Sequence, residues 1–224
     1  MNLILIGAPG AGKGSLSALL LQNFDIVHVA TGDILREAVA AGTPVGLKAQ
    51  EYMNKGELVP DSVIHDIIAE RLAKPDIKKG FVFDGYPRTV EQAEDLDTIL
   101  DELGLKIDYV INLDANEDVI ASRITNRRLC RKCGKIYHMI NHPAKVEGVC
   151  DDCGGELYTR KDDTLESLKT RLSSYYKNTQ PVIDYYRNQG LVIDFDSNTT
   201  IEADVYDHEK FVPVLNGLKS SAKE

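Results

Sequence analysis

The chain has 224 residues, of which 43% are hydrophobic and 27% are charged, as in a globular protein of one large core or at most two domains. Its formal charge of −9 argues against a general binder of nucleic acid or of membrane surfaces. No apolar run has the length of a membrane span, and the apolar segment 1–7 lacks the basic region of a signal peptide. We therefore expect a cytoplasmic protein.

Five short apolar segments alternate with helical patterns along the chain. They are residues 3–6, 26–29, 81–83, 109–113 and 191–195. Such segments predict buried parallel strands, and hence an α/β fold with a five-stranded sheet and helices on both faces. Residues 30–59 are too helical and too long for a plain connection, so they predict a small inserted lobe. We expect Asp61 to cap the next helix and Pro75 to end it.

A glycine-rich stretch at residues 7–15, Gly-Ala-Pro-Gly-Ala-Gly-Lys-Gly-Ser, follows the first predicted strand and opens a helix predicted at 15–23. Glycines let successive backbone N–H groups point at an anion, and the helix N-terminus adds its partial positive charge. This context predicts phosphate binding, with Lys13 reaching the outer phosphates. The general pattern has a hydroxyl directly after the lysine. Here Gly14 takes that position, so Ser15 is the predicted phosphate or Mg²⁺ contact.

Polar residues follow the third predicted strand. Asp84 ends that strand at the edge where open α/β sheets bind ligands, which makes it a candidate for the Mg²⁺ shell, through water. An aspartate before glycine is also an ordinary turn residue, so that interpretation stays open. Thr89 and Gln92 have the spacing of a helix capping box, which leaves a structural role for Gln92 equally open. The run Asp163-Thr164-Leu165-Glu166 could likewise cap a later helix that runs towards Gln189, which Pro181 must kink or interrupt.

Four cysteines form two C-x-x-C pairs separated by sixteen residues: Cys130, Cys133, Cys150 and Cys153. Two such pairs predict a tetrahedral zinc site, and four thiolates leave no open position, so the metal would be structural. His138 and His142 lie between the pairs as less favoured alternative ligands. A nucleic-acid-binding ribbon is not favoured, because four basic and three acidic residues between the outer cysteines give a net charge of only +1.

Six arginines flank the loops that the predicted sheet brings to its carboxyl edge: Arg36, Arg88, Arg123, Arg127, Arg160 and Arg171. The planar guanidinium suits phosphate oxygens, and several together would stabilise charge on a phosphoryl group in transfer. No general base stands out in the sequence. A phosphate acceptor would not need one, because its oxygen is already anionic, so the pattern favours a nucleotide kinase over a hydrolase.

Taken together, these motifs resemble adenylate kinases of the long-lid, zinc-bearing type. The matching stretches are residues 7–15, 31–36, 84–88 with Gln92, 123–128, the four cysteines, 160–163 and Arg171. The resemblance implies reversible phosphoryl transfer between ATP and AMP to give two ADP, with Mg²⁺ bound to ATP and with structural zinc. It implies a core domain of residues 1–29, 60–125 and 164–224, an AMP-binding lobe at 30–59 and a lid at 126–163. It also implies a monomer without nucleic-acid or membrane partners.

The resemblance assigns site residues by matching position. The ATP-binding residues would be Gly10, Ala11, Gly12, Lys13, Gly14, Ser15, Arg123, Arg127, Ile136, Tyr137 and Thr199. The AMP-binding residues would be Thr31, Arg36, Glu57, Leu58, Val59, Gly85, Tyr86, Pro87, Arg88, Gln92, Arg160 and Arg171. The catalytic residues would be Lys13, Arg88, Arg123, Arg160 and Arg171.

The chain departs from the family pattern at few positions. Ser15 replaces the usual threonine and Tyr86 the usual phenylalanine, and the tail from about residue 200 carries the weakest resemblance. Two other functions stay open at this point. One is a kinase that uses GTP as donor or another monophosphate as acceptor. The other is a phosphate-loop regulatory binding protein whose zinc ribbon contacts RNA or a partner.

Overall fold

The computed structural model describes residues 1–198 and 216–218, so Thr199 and most of the tail lie outside the described residues. The strands are β1 (Asn2–Gly7), β2 (Val27–Ala30), β3 (Phe81–Asp84), β4 (Tyr109–Asp114), β5 (Arg127–Cys130), β6 (Ile136–His138), β7 (Leu157–Tyr158) and β8 (Val192–Asp196). The α-helices are α1 (Lys13–Asn23), α2 (Thr31–Ala40), α3 (Pro44–Lys55), α4 (Asp61–Leu72), α5 (Val90–Glu102), α6 (Glu117–Asn126), α7 (Leu165–Ser174) and α8 (Gln180–Arg187).

The main sheet has five parallel strands in the order β2-β3-β1-β4-β8, which confirms the predicted fold class and the five strand positions. Alternate residues of β1 pack into two hydrophobic cores, one on each face of the main sheet. Ile4 and Ile6 pack into one cluster, whereas Leu3 and Leu5 pack into the other. Burial on both faces explains why these strands are continuous apolar runs. β1 is the central strand, with β3 on one side and β4 on the other, and its carboxyl end leads to the edge of the sheet where open α/β folds bind ligands.

Two helices, α2 and α3, make up most of residues 30–59 and are divided by the short turn at residues 41–43. Thr43 caps α3 by accepting a hydrogen bond from the Gly46 backbone N–H at 3.0 Å. A Cβ atom at Gly46 would lie 2.1 Å from the Ala38 carbonyl oxygen, so only glycine allows these helices to approach so closely. The strands β5, β6 and β7 form a separate antiparallel sheet within residues 126–163.

Three local predictions need correction. Pro60, not Asp61, holds the N-cap position of α4, because the Asp61 side chain bonds to Thr89 and Gln92 instead. The helix ends at Leu72, ahead of Pro75, which begins a separate 3₁₀ turn. The helix predicted at 15–23 already begins at Lys13.

The helical region at residues 165–187 is interrupted before Pro181, as this proline predicts. Thr164 caps α7 by accepting from the Ser167 N–H at 3.1 Å. A π-helical segment, Tyr175–Thr179, separates α7 from α8, and Pro181 lies in the first turn of α8. In the part of the chain that the structure describes, no helix combines the length and apolar character needed to cross a membrane.

Candidate active site

The glycine-rich loop between β1 and α1 curls around its own lysine. Gly10 and Gly12 have φ values of 86° and 104°, in the left-handed region that favours glycine. The Lys13 ammonium donates to the carbonyl oxygens of Gly7 at 2.7 Å and Ala8 at 3.0 Å. Burial lowers the pKa of Lys13 to about 8, against the raising effect of Asp84. The loop thus holds an amine whose charged form is destabilised by burial, and a bound anion would stabilise that form.

Asp84 ends β3 beside the glycine-rich loop, since it pairs in register with Leu5 of β1 and with Ala30 of β2. The His28 imidazole Nε2 lies 3.8 Å from its carboxylate. Burial raises the pKa of Asp84, but His28 and Lys13 outweigh this effect, so the pKa lies below its ordinary value. The group is therefore an anionic oxygen donor of the kind that Mg²⁺ prefers. His28 was missed in the sequence, although a histidine inside a buried strand is itself a signal.

A large cleft of about 760 Å³ lies between the glycine-rich loop, the main sheet and the small sheet. Its lining includes most of the predicted ATP-binding residues: Gly10, Gly12, Lys13, Gly14, Ser15, Arg123, Arg127, Ile136 and Tyr137. Ala11 is not among them, because it is fully buried and its carbonyl accepts from the Ser197 hydroxyl. Arg123 is oriented by Ser197, whose carbonyl accepts from the guanidinium at 2.7 Å. Nothing in the sequence pattern pointed to Ser197.

A second, smaller cavity opens beside the main cleft, between α2, α3 and the end of β3. Its lining contains ten of the twelve predicted AMP-binding residues: Thr31, Arg36, Glu57, Leu58, Val59, Gly85, Tyr86, Arg88, Gln92 and Arg171. Pro87 and Arg160 line the main cleft instead. Leu35, Met53, Ile64 and Asp162 also line this cavity and were missed. The three apolar ones give the cavity a hydrophobic wall, which a sequence pattern cannot distinguish from core.

The hydrogen bonds of Gln92 support a structural role, but not the complete capping box that its spacing from Thr89 suggested. Its backbone N–H donates to the Thr89 hydroxyl at 3.1 Å, so Thr89 caps α5. Its side chain does not complete a capping box on Thr89. Instead the Gln92 Oε1 accepts from the Arg88 N–H at 2.8 Å, and the Nε2 donates to Asp61 at 2.6 Å. Gln92 is thus held rigidly at the wall of the second cavity.

Acidic residues pair with the arginines that surround the two cavities. Asp33 contacts Arg36 and, at 3.5 Å, Arg160. Arg127 pairs with Asp163, whose side chain is fully buried, and Arg171 pairs with Asp162 at 3.1 Å. Burial lowers the pKa of Arg160, and so do the neighbouring charges of Arg36 and Arg127. Such crowding of positive charge favours binding of a polyanion.

The four cysteine sulfurs converge in the small sheet, all within 4.8 Å of one another. The Sγ distances are 3.4 Å for Cys130 to Cys153 and 3.6 Å for Cys133 to Cys150. Thiolates around one Zn²⁺ lie about 3.8 Å apart, given Zn–S bonds of about 2.3 Å in a tetrahedron. A Cβ atom at Gly155 would lie 2.8 Å from the Cys130 Sγ, so a side chain there would disturb the cluster. The donor set therefore fits zinc.

Hydrogen bonds lower the pKa of Cys130 and Cys150 and so favour their thiolate forms, whereas burial and hydrogen bonding between the thiols raise the pKa of Cys133 and Cys153. The Tyr137 hydroxyl donates to the Cys150 Sγ at 3.4 Å, and this contact lowers the pKa of Cys150 to about 6. The Lys132 backbone N–H donates to the Cys130 Sγ at 3.3 Å. Neither histidine joins the group of potential ligands, and the Nδ1 of His138 accepts backbone N–H groups instead. The alternative histidine ligands are therefore not supported.

Comparison with known proteins agrees with this geometry. The family described as Adenylate kinase matches residues 5–191. An adenylate kinase of Desulfitobacterium hafniense is 54% identical over 184 residues, 82% of this chain and 85% of the relative. That of Archaeoglobus fulgidus is 53% identical over 202 residues, 90% and 93% of the two chains. That of Carboxydothermus hydrogenoformans is 47% identical over 219 residues, 98% and 100%.

These matches cover most of the chain, including the glycine-rich loop, the arginines and the cysteines. They do not favour the regulatory binding protein or a kinase for another pair of nucleotides. The chain belongs to the adenylate kinase family and is an enzyme that transfers a phosphoryl group between ATP and AMP.

Proposed function

We propose that the main cleft binds the donor ATP, that the second cavity binds the acceptor AMP, and that transfer occurs directly where the two meet. The observation that carries this assignment is that Arg36, Arg88 and Arg171 line both cavities. Three cations at one junction suit a phosphoryl group that passes from one nucleotide to the other. Because the AMP phosphate is already anionic, positioning and charge stabilisation suffice for catalysis.

On the donor side, the backbone of residues 10–15 would surround the ATP phosphates and Lys13 would bind the outer ones. Ala11 would contribute through its backbone only, since its side chain is buried. Arg123 and Arg127 would contact the phosphates from the side of the lid. Ile136 and Tyr137, both in the cleft wall, would contact the nucleoside. The remaining donor contact proposed from the family match is Thr199.

On the acceptor side, Arg36 and Arg88 would bind the AMP phosphate, and Gln92 would bind the base. The rest of the acceptor set is Thr31, Glu57, Leu58, Val59, Gly85, Tyr86 and Pro87. Arg160 and Arg171 would close over the phosphates of both nucleotides as catalytic residues. The Nε of Arg88 donates to the Gly85 carbonyl at 2.7 Å, and this restraint on the guanidinium supports the proposed role.

Adenylate kinases use Mg²⁺ with ATP, and Asp84 is the residue that would hold it here, through water. The anionic carboxylate of Asp84, which is half-buried and interacts with Lys13, supports this assignment. When bound, the metal supplies charge neutralisation on the phosphate oxygens. Ser15 lies in the same cleft and offers a hydroxyl to the metal or to a phosphate.

The four cysteines would hold a structural Zn²⁺ that stiffens the small sheet. A segment of this size cannot bury enough apolar surface to be rigid, so a metal gives it the constraint. We propose that residues 126–163 act as a lid that excludes water from the transferring group, since water would otherwise accept it. Residues 30–59 would be the AMP-binding lobe, and 1–29, 60–125 and 164–224 the core. A cytoplasmic monomer is the proposed form of the enzyme.

The experiment that tests these assignments is a coupled assay of ADP formation with ATP and AMP, extended to GTP and to other monophosphates. Lys13→Ala should lower turnover by roughly 10³-fold, as loss of a charge that stabilises the transition state does, while the circular dichroism spectrum stays unchanged. Near-normal turnover of folded Lys13→Ala would refute the donor assignment. Tight ATP binding without any ADP formation by the unsubstituted protein would contradict transfer at this site.

A further inference from the structure

Asp61 lies outside the two sets of predicted site residues, yet its carboxylate bonds directly to one of them. Its Oδ1 accepts from the Gln92 Nε2 at 2.6 Å, and its Oδ2 accepts from the Thr89 hydroxyl at 2.9 Å. The contact spans 31 residues of sequence, from the first turn of α4 to the first turn of α5. Both carboxylate oxygens are therefore used, and the contact to Gln92 is a charge-assisted hydrogen bond.

The Gln92 amide is anchored at both ends. Its Oε1 accepts the Arg88 backbone N–H at 2.8 Å, and its Nε2 donates one of its two protons to Asp61. The side chain is almost fully buried and lies in the wall of the second cavity. An amide has two N–H protons and two oxygen lone pairs, so one proton and one lone pair are left for a ligand.

The orientation of that amide decides which base it matches. Adenine offers an exocyclic amino donor beside a ring-nitrogen acceptor. Hypoxanthine offers a carbonyl acceptor beside a ring N–H donor, the reverse order. A glutamine amide that could turn over would match either base, whereas an anchored amide matches one. Bidentate pairing with adenine is a contact for which glutamine is well suited.

We propose that Asp61 is the positioning residue that fixes the Gln92 amide and thereby selects adenine over hypoxanthine in the acceptor. The inference rests on the proposed acceptor site. Asp61 does not touch the nucleotide itself. When Asp61 is removed, only the Arg88 N–H still holds the Gln92 amide, at its Oε1 end. The amide orientation that matches adenine and the one that matches hypoxanthine would then become closer in energy.

The test is the ratio of kcat/KM for AMP to kcat/KM for IMP, with ATP as donor. Asp61→Ala should lower this ratio by about tenfold, the effect of losing one charge-assisted hydrogen bond to the recognising group. Asp61→Asn keeps an oxygen that faces Gln92 and should retain most of the ratio. The matched control is Asp66→Ala, because Asp66 is exposed on the same helix and should leave the ratio unchanged.

Asp61→Ala leaves two donors without an acceptor and could therefore fail to fold. Asp61→Ser gives a second variant, since serine is accepted at a helix start but is too short to reach Gln92; it should lose discrimination as Asp61→Ala does. The proposal is overturned if the folded variants lower kcat/KM for AMP and IMP by the same factor, or leave both unchanged.

The Gln92→Ala variant distinguishes failure of the role proposed for Asp61 from failure of the acceptor-site assignment. If Gln92→Ala lowers the AMP to IMP ratio and Asp61→Ala does not, the site assignment stands and the role of Asp61 is refuted. If Gln92→Ala also leaves the ratio unchanged, the assignment of the second cavity to the acceptor base is itself wrong, and the proposal falls with it.

Discussion

The Thr179 hydroxyl donates a hydrogen bond to the backbone carbonyl of Arg88 at 2.9 Å, across 91 residues of sequence. Thr179 ends the π-helical segment Tyr175–Thr179, and such segments occur frequently at functional sites. The backbone of Arg88 is therefore held on both sides, because its N–H donates to Gln92. The irregular helix and the proposed phosphate-binding arginine form one structural unit.

We expect Thr179→Val to lower kcat by about three- to tenfold, since loss of one hydrogen bond of about 1 kcal/mol lets Arg88 shift relative to the phosphates. The measurement is steady-state kinetics with AMP varied. Thr179→Ser keeps the hydroxyl and should behave as the unsubstituted enzyme. Equal kcat values for the valine and serine variants would show that this contact does not position Arg88.

The buried amine of Lys13 predicts a proton linkage. Its pKa is lowered to about 8 by burial, so the ammonium form decreases as pH rises through 8. Phosphates require that form and raise its pKa on binding, so ATP binding near pH 8.5 should be accompanied by proton uptake. Calorimetric titration of ATP in two buffers of different ionisation enthalpy measures the uptake.

ATP affinity should accordingly weaken as pH rises from about 7 to 9, in line with that pKa. The Lys13→Ala variant provides the control, because it has no amine to titrate and should show less proton uptake. Identical heats in the two buffers at pH 8.5 for the unsubstituted enzyme would contradict the linkage.

The fold could be predicted because its signals are local. Each of the five parallel strands is an apolar run of its own, and the glycine-rich loop carries its lysine within nine residues of sequence. The break between α2 and α3 is likewise marked locally, by Gly42 and by the Thr43 cap. Such features need no knowledge of distant partners.

The rest depends on contacts between distant parts of the chain. Asp61 was interpreted as a helix cap, since an aspartate before an apolar pattern usually is one, but its partners lie on α5. Three other residues contact site residues that are distant in sequence. His28 contacts Asp84, Ser197 contacts Arg123, and Thr179 contacts Arg88. The spacing of residues in one sequence contains no record of these neighbours. Ser197 and Thr179 could therefore not be identified before the structure, whereas His28 had one local signal, its place inside a buried strand.

Because the cysteine cluster would be a structural metal site, we expect loss of the metal to lower thermal stability more than it lowers enzymatic activity. Cys150→Ser removes one of four converging thiols and should release zinc, with Tm lower by roughly 5 °C or more and part of the activity retained. Metal analysis of the purified protein, with thermal melting, checks both effects. A full equivalent of zinc bound to Cys150→Ser would show that the ligand set is wrong. Lys145→Ala, an exposed change in the same segment, should bind zinc normally.

The ion pair between Arg127 and Asp163 joins the start of β5 to the residue before the α7 cap, and the Asp163 side chain is fully buried. Two guanidinium nitrogens of Arg127 donate to its two carboxylate oxygens. Removing one member of a buried pair leaves the other uncompensated, which typically costs about 3–5 kcal/mol.

Asp163→Ala should therefore lower the free energy of unfolding by about this amount, measured by urea denaturation at neutral pH. Arg187 and Asp194 form the comparison, because that pair is also bidentate but exposed, and Asp194→Ala should cost at most about 1 kcal/mol. Since Arg127 also faces the donor cleft, ATP should stabilise Asp163→Ala by more than it stabilises the unsubstituted enzyme. Equal costs for the two aspartate variants would show that burial adds nothing to the Arg127 pair.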